Sequence, residues 1–125
     1  MDVTEILNEM RIEASGCDLV AFADLSSRMM LCVSPAGQRP QEELDVLTEV
    51  AAASLSGPLA ESAAPLLDAR APVEAIALTS IDARIFLKPD ADASEALICI
   101  CAPDANIEKI LSCGRDALGR IVANG

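Results

Sequence analysis

From the N-terminus, Val3, Ile6, Leu7 and Met10 recur at i, i+3, i+4 and i+7, the spacing of one apolar stripe on a helix. Asp2 or Thr4 can cap that helix, which runs to about residue 14. Ser15-Gly16 ends it, Gly being suited to the left-handed position that follows a helix. The pattern then changes. Residues 18–24 and 29–34 are short and apolar, carry Val20, Phe22 and Val33, and predict two strands. Residues 25–28 join them into a hairpin, and the absence of Gly there argues against a tight primed turn. Pro35-Ala36-Gly37 closes the second strand.

The next stretch, Gln41–Ser56, reads QEELDVLTEVAAASLS, has no Gly or Pro, and predicts a helix of about four turns. At about 100° per residue, Leu44, Leu47, Ala51 and Leu55 share one stripe. Val46, Val50 and Ala53 share another, roughly opposite, with Glu42, Asp45 and Glu49 between the two. A surface helix ordinarily has one apolar stripe. Two opposed stripes ask for two apolar neighbours: the protein's own sheet, and either a second chain or a covering loop. Small Val and Ala side chains also tolerate water.

Gly57-Pro58 stops this helix. Leu59, Ala63, Leu66 and Leu67 are again helically spaced, with Pro65 among them, so residues 59–72 predict a helical continuation or a short irregular helix. Residues 73–80 alternate Ile76 and Leu78 with Ala75 and Ala77. Residues 84–88 alternate Ile85 and Leu87 with Phe86. Residues 81–83 turn between these strands, with Asp82 as turn former. After an acidic loop at 89–95, residues 96–102 (ALICICA) are apolar on both faces, as in a strand at the middle of a sheet covered on both sides. Pro103-Asp104 starts a last helix, from about 105 to 122. Its stripe is Ile107, Ile110, Leu111, Leu118, Ile121 and Val122. Glu108, Ser112, Arg115, Asp116 and Gly119 face away. Gly114 lies within the stripe at a cost of roughly 1 kcal/mol against Ala, for which close packing on the sheet is the simplest reason. The order α-β-β-α-connector-β-β-β-α predicts one domain, 1–125, an α+β sandwich of three layers with a five-stranded sheet.

The net charge of −11 changes the picture of partners. Phosphate backbones and anionic membranes repel such a surface, while a basic patch on a protein attracts it. Only Phe22 and Phe86 are aromatic, so no base-stacking platform is available. The longest apolar run is far too short to span a bilayer. The N-terminus lacks the basic start and apolar block of a signal peptide, so the expected location is cytoplasmic.

The chain has no His, which removes the commonest general base, the commonest metal ligand and every His-dependent triad. Its five Cys (17, 32, 99, 101, 113) are scattered and read as reduced, mostly buried, small apolar residues. Cys99 and Cys101 share one strand face. As zinc ligands they would need two more, and no second close pair exists, so they read as core. The loop DADASE (90–95) begins like a calcium loop but has Glu95 where Gly is needed and Cys101 where the closing Glu belongs. Glu42, Glu43, Asp45 and Glu49 read as a solvated face. Ser26, Ser27, Ser54 and Ser56 have no base nearby. No catalytic, metal or cofactor constellation is visible.

The chain resembles the roadblock family, the dynein light chain type found also in bacteria as partners of small GTPases. The resemblance rests on the order of the hairpin CDLVAFADLSSRMMLCVS, the helix EELDVLTEVAAASL, the strand pair EAIALTSIDARIFLKP and the ending ALICICAPDANIEKILSCGRDAL. Both strand turns lack the Gly often seen there, and the connector at 57–72 is long. The resemblance implies a profilin-like sandwich with strand order 2-1-5-4-3 and no cofactor. It also implies a homodimer made by the third strand and second helix, with Val46, Val50, Ala53, Ala75, Ile76 and Ala77 at the interface. Family members bind small Ras-like GTPases or motor subunits.

Three functions fit. The first is a non-catalytic homodimeric interaction module that regulates or scaffolds a small GTPase or other NTPase. The second is a ligand-sensing module on a similar sandwich, which needs a pocket between sheet and helix. The third is a thiol redox protein using Cys99 and Cys101.

Overall fold

The computed structural model describes residues 2–35, 39–56 and 73–124. Helix α1 spans Val3–Glu13, and of the two possible caps it uses Asp2, whose carboxylate accepts the Glu5 N–H at 2.9 Å. Such a cap satisfies one of the first-turn donors that has no partner within the helix. Ile6, Leu7 and Met10 are buried. Gly16 follows at φ +99°, a left-handed conformation that costs glycine nothing.

Strands β1 (Cys17–Asp24) and β2 (Met29–Ser34) form the expected antiparallel hairpin. Its turn needs one positive φ, which Arg28 supplies at +60° in the absence of Gly. Asp24 Oδ1 accepts from the Ser26 hydroxyl at 2.7 Å and from its N–H at 3.0 Å. These bonds, the hydroxyl's first, hold the Asp24 carboxyl below its usual pKa. Helix α2 spans Gln41–Ser56, and after it come β3 (Glu74–Leu78), β4 (Ala83–Leu87), β5 (Glu95–Cys101) and α3 (Ile107–Asn124). The expected helical continuation at 59–72 and the stop at Gly57-Pro58 lie outside the described residues.

Among the described residues the strands form one five-stranded sheet in the order β2-β1-β5-β4-β3, every pair antiparallel. This is the order the resemblance implied. β5 lies at the centre, and every residue of it after Glu95 is buried. Alternation divides its side chains between two cores. Leu97, Cys99 and Cys101 join Val20, Phe22, Ile85 and Leu87 beneath α1 and α3. Ala96, Ile98 and Ile100 join Leu19, Ala21 and Phe86 beneath α2. The result is a three-layer sandwich. Arg120 on α3 pairs with Glu9 on α1 at 2.7 Å across the top of the first layer.

Several boundaries shift for local reasons. β3 ends at Leu78, short of the expected residue 80, because Thr79 and Asp82 close the turn. The Thr79 hydroxyl oxygen accepts the Asp82 N–H at 3.0 Å, and the Thr79 N–H donates to the Asp82 carbonyl at 2.9 Å. α3 starts two residues later than expected, after Asn106, whose side-chain oxygen accepts the Lys109 N–H at 3.1 Å. Within α3, Ile110, Ala117, Leu118 and Ile121 are buried, whereas Val122 is 58% exposed. It follows Ile121 by about 100° around the helix and so leaves the sheet-facing side.

Candidate functional site

β3 pairs with β4 on one side and forms an edge of the sheet among the described residues. Its five residues, EAIAL, carry no Lys, Arg or Pro, the side chains that commonly protect an edge from pairing with another chain. Ile76 is 49% exposed and Leu78 69%. The register sets Ile76 opposite Ile85, which belongs to the core under α1 and α3. Ala75 and Ala77 face the other way and pack against the core under α2. Glu74 is held from the α3 side by Arg115, which donates to both carboxylate oxygens at 2.7 Å. That pairing, the hydrogen bonds first, holds the Glu74 carboxyl below its usual pKa.

α2 lies over the opposite face. Leu44, Leu47, Ala51 and Leu55 are buried as the sequence predicted, and so are Thr48 and Ala52. Thr48 is buried without cost to its hydroxyl, which donates to the Leu44 carbonyl at 3.0 Å. The buried arc is therefore wider than one stripe. Val50 is half-buried against the α2-side core, while Val46 is 55% exposed and Ala53 is exposed. The two stripes are thus less opposed than a helical wheel suggests. Of the six residues expected at an interface, Val46 and Ala53 lie on the outer surface of α2. Val50, Ala75 and Ala77 lie partly within the layer beneath it, and Ile76 projects from the other face of the sheet.

Beside Val46 an open groove of about 300 Å³ is lined by Arg39, Glu42, Glu43, Leu47 and Arg84. The acidic row on α2 is partly answered by arginines. Arg28 meets Glu49 at 2.7 Å and Arg39 meets Glu43 at 3.7 Å. These are exposed pairs, screened by salt, and they orient side chains more than they stabilise the fold.

The thiols are placed otherwise than a redox enzyme built on Cys99 and Cys101 needs. Both are fully buried, so no substrate reaches that pair from solvent. The sequence reading missed that Cys17, only half-buried, joins them on the same face of the sheet. In the acidic loop, Asp90 accepts the Asp92 N–H at 2.9 Å and the Ala91 carbonyl accepts the Lys88 ammonium at 3.1 Å. Among the described residues no helix is long and apolar enough to cross a membrane, and no group of three or more His, Cys, Asp or Glu is arranged to hold a metal ion.

No family model matches the sequence, and no curated protein matches it. The fold, by contrast, has close counterparts among solved structures, and they are roadblock domains. A Roadblock/LC7 domain from Streptomyces avermitilis superposes with a TM-score of 0.80 at 10% identity, over 99% of this chain and 98% of that one. Myxococcus xanthus MglB gives a TM-score of 0.75 at 13% identity, over 98% of this chain and 96% of that one. The gliding protein MglB of Thermus thermophilus gives 0.77 at 19% identity, over 98% of this chain and 90% of that one. Likeness at these identities establishes the roadblock fold.

Proposed function

We propose that the protein is a non-catalytic homodimeric module that regulates or scaffolds a small Ras-like GTPase or other NTPase. The observation that carries this reading is the unprotected β3 edge, with Ile76 and Leu78 exposed, together with the exposed Val46 of α2, which lines a groove with Arg84 of β4, the strand paired with β3. In the dimer, β3 pairs with its symmetry copy, the two sheets become one, and the α2 helices pack over the joint. The likeness to two MglB structures over nearly the whole chain supports a place among bacterial roadblock proteins, whose resemblance first suggested a GTPase partner.

Two measurements test it. Light scattering of the purified protein is expected to give a dimer. Added to a Ras-like GTPase of the same cell, the protein is expected to change its rate of hydrolysis or nucleotide exchange. Nucleotide hydrolysis by the purified protein alone would overturn the non-catalytic part, and a monomer would overturn the dimer. With a net charge of −11, the complex is expected to weaken with salt where the partner surface is basic.

A further inference from the structure

The two faces of the edge strand are covered unequally. Ala75 and Ala77 pack against the core beneath α2. Glu74, Ile76 and Leu78 stand on the other face, opposite Leu87, Ile85 and Ala83 of β4, and those three are fully buried in the core under α1 and α3. Arg115 of α3 reaches Glu74. Ile76 and Leu78 stay 49% and 69% exposed, one strand away from residues at 0%. The cover stops because of where α3 sits. A Cβ on its Gly114 would meet Leu87 of β4 and Leu97 of β5, so the helix runs over those two strands. Among the described residues it leaves the middle and end of β3 bare.

The flank of α3 that looks toward β3 is itself apolar and open. Leu118, Gly119 and Val122 line a groove of about 460 Å³ together with Val73 and Glu74 at the start of the strand. Val122 is 58% exposed, and a Cβ on Gly119 would meet nothing within 4 Å, so another chain can come close there. The charged groups of the groove are unevenly engaged. Arg115 is paired with Glu74, and the buried Lys88 donates to the Ala91 carbonyl. The exposed Asp90 also lines the groove, and among the described residues no cation pairs with it.

Pairing β3 with its symmetry copy converts this half-covered face into a slot. Ile76 and Leu78 of both copies become its floor, and the two α3 helices become its walls. Neighbouring strands lie about 4.8 Å apart, so the β4–β5 boundary stands about two spacings from the twofold axis and the α3 axes about 19 Å from each other. Packed helices lie about 8–10 Å apart, so a gap of this width seats one helix against both walls and has no room for two. We infer that the dimer binds, on the face opposite α2, a single amphipathic helix of a protein partner, with its apolar stripe on Ile76 and Leu78 and Lys or Arg along its flanks. The basic flanks follow from charge: each copy carries a net −11, and Asp90 is unanswered at the wall. The inference rests on the dimer of the proposed function, since one chain supplies half the floor and one wall.

The test adds a fluorescein-labelled synthetic peptide of leucine and lysine to the full-length protein and reads fluorescence anisotropy beside the light-scattering mass. The peptide has about 18 residues, some 27 Å as a helix, with its leucines at i, i+3, i+4 and i+7. The expected result is saturable binding of one peptide per dimer with the dimer retained. Leu78→Thr keeps a good strand former without adding the charge that blocks edge pairing, and Val122→Gln changes an exposed wall residue. Each is expected to weaken the peptide at least about tenfold at concentrations where the variant remains a dimer. Ile12→Gln, at a site 73% exposed on α1, which packs over β1 and β2, is expected to leave binding unchanged. The same peptide with glutamate in place of lysine is expected to bind at least about tenfold more weakly. A monomeric wild type overturns the dimer and the slot together. A dimer that does not bind the peptide, binds it equally well in all three variants, or takes the glutamate peptide as readily overturns the slot alone. So does a tetramer that excludes the peptide, which would give this face to a second dimer.

Discussion

Arg115 of α3 grips Glu74, the first residue of the edge strand, through two hydrogen bonds of 2.7 Å to the two carboxylate oxygens. A guanidinium and a carboxylate meet best in this two-pronged form. The pair ties the start of the edge strand, where Glu74 lies opposite Leu87 of β4, to the helix layer on that face of the sheet. Both partners are partly exposed, so solvent screens much of the attraction.

The pair makes the edge weakly sensitive to acid. Glu74 has a lowered pKa in the folded protein, chiefly from its hydrogen bonds to Arg115. Its contribution is therefore present above the unfolded carboxyl value and is lost as pH falls through the lower folded value. Arg115→Gln is expected to lower the urea midpoint slightly at neutral pH. Below the folded Glu74 value the variant and the wild type are expected to converge. An undiminished difference in acid would mean that Arg115 acts through packing.

The two glycines of α3 are expected to respond to alanine with opposite signs. A Cβ on Gly114 would collide with the fully buried Leu87 and come within 3.3 Å of Leu97. The helix-propensity gain of roughly 1 kcal/mol is then outweighed by an overpacking cost of about 1–3 kcal/mol. Gly119 is exposed, and a Cβ there meets nothing within 4 Å. Gly119→Ala is expected to stabilise by up to about 1 kcal/mol. Thermal or urea unfolding of the two variants checks the pair. A stabilised Gly114→Ala would show that Leu87 repacks freely.

Ile98 and Ile100 carry the core beneath α2, at 0% and 1% exposure. Either one changed to Ala is expected to cost about 2–5 kcal/mol in urea unfolding, because β5 is flanked on both sides and has little room to collapse. Near-neutral results at both would be incompatible with a central β5.

These elements differ in how far the sequence revealed them. ALICICA could be placed at the centre because six consecutive buried positions leave no polar face to hide. The stripe of α1 and the packing reason for Gly114 were legible on the same ground, since burial selects side chains. Where a feature belongs to the backbone or to a neighbour, the residues are silent. The bulge at Asp18 has no side-chain signature, so Cys17 could not be assigned to the face of Cys99. The half-burial of Val50 depends on how α2 seats on the sheet, which a helical wheel does not contain. The interface residues were grouped from two elements without a register, and Ile76 proves to project from the face opposite Ala75 and Ala77.

That placement decides how the proposed dimer is best tested. Val50 is half-buried in the protein's own core, so a charge there would disturb folding as well as association. Val46 and Ile76 are the better probes, being 55% and 49% exposed, and they report on different contacts. Covering what remains open of each would contribute on the order of 1 kcal/mol, so a stable joint also needs the backbone pairing of β3 and roughly 1,000 Å² or more of buried surface. Val46→Glu adds a carboxylate to a helix face that already carries Glu42, Glu43 and Glu49, and in a twofold joint the charge appears twice. Ile76→Lys adds to β3 the kind of residue that keeps natural edges from pairing. Each variant is expected to retain the unfolding midpoint of a dilute wild-type sample, since exposed substitutions usually cost within about 0.5 kcal/mol. Each is also expected to shift the light-scattering mass toward the monomer. If Ile76→Lys alone dissociates the protein, the joint is a strand pairing with the helices apart. If neither variant changes the mass of a dimeric wild type, the interface lies elsewhere and the β3 edge is not its centre.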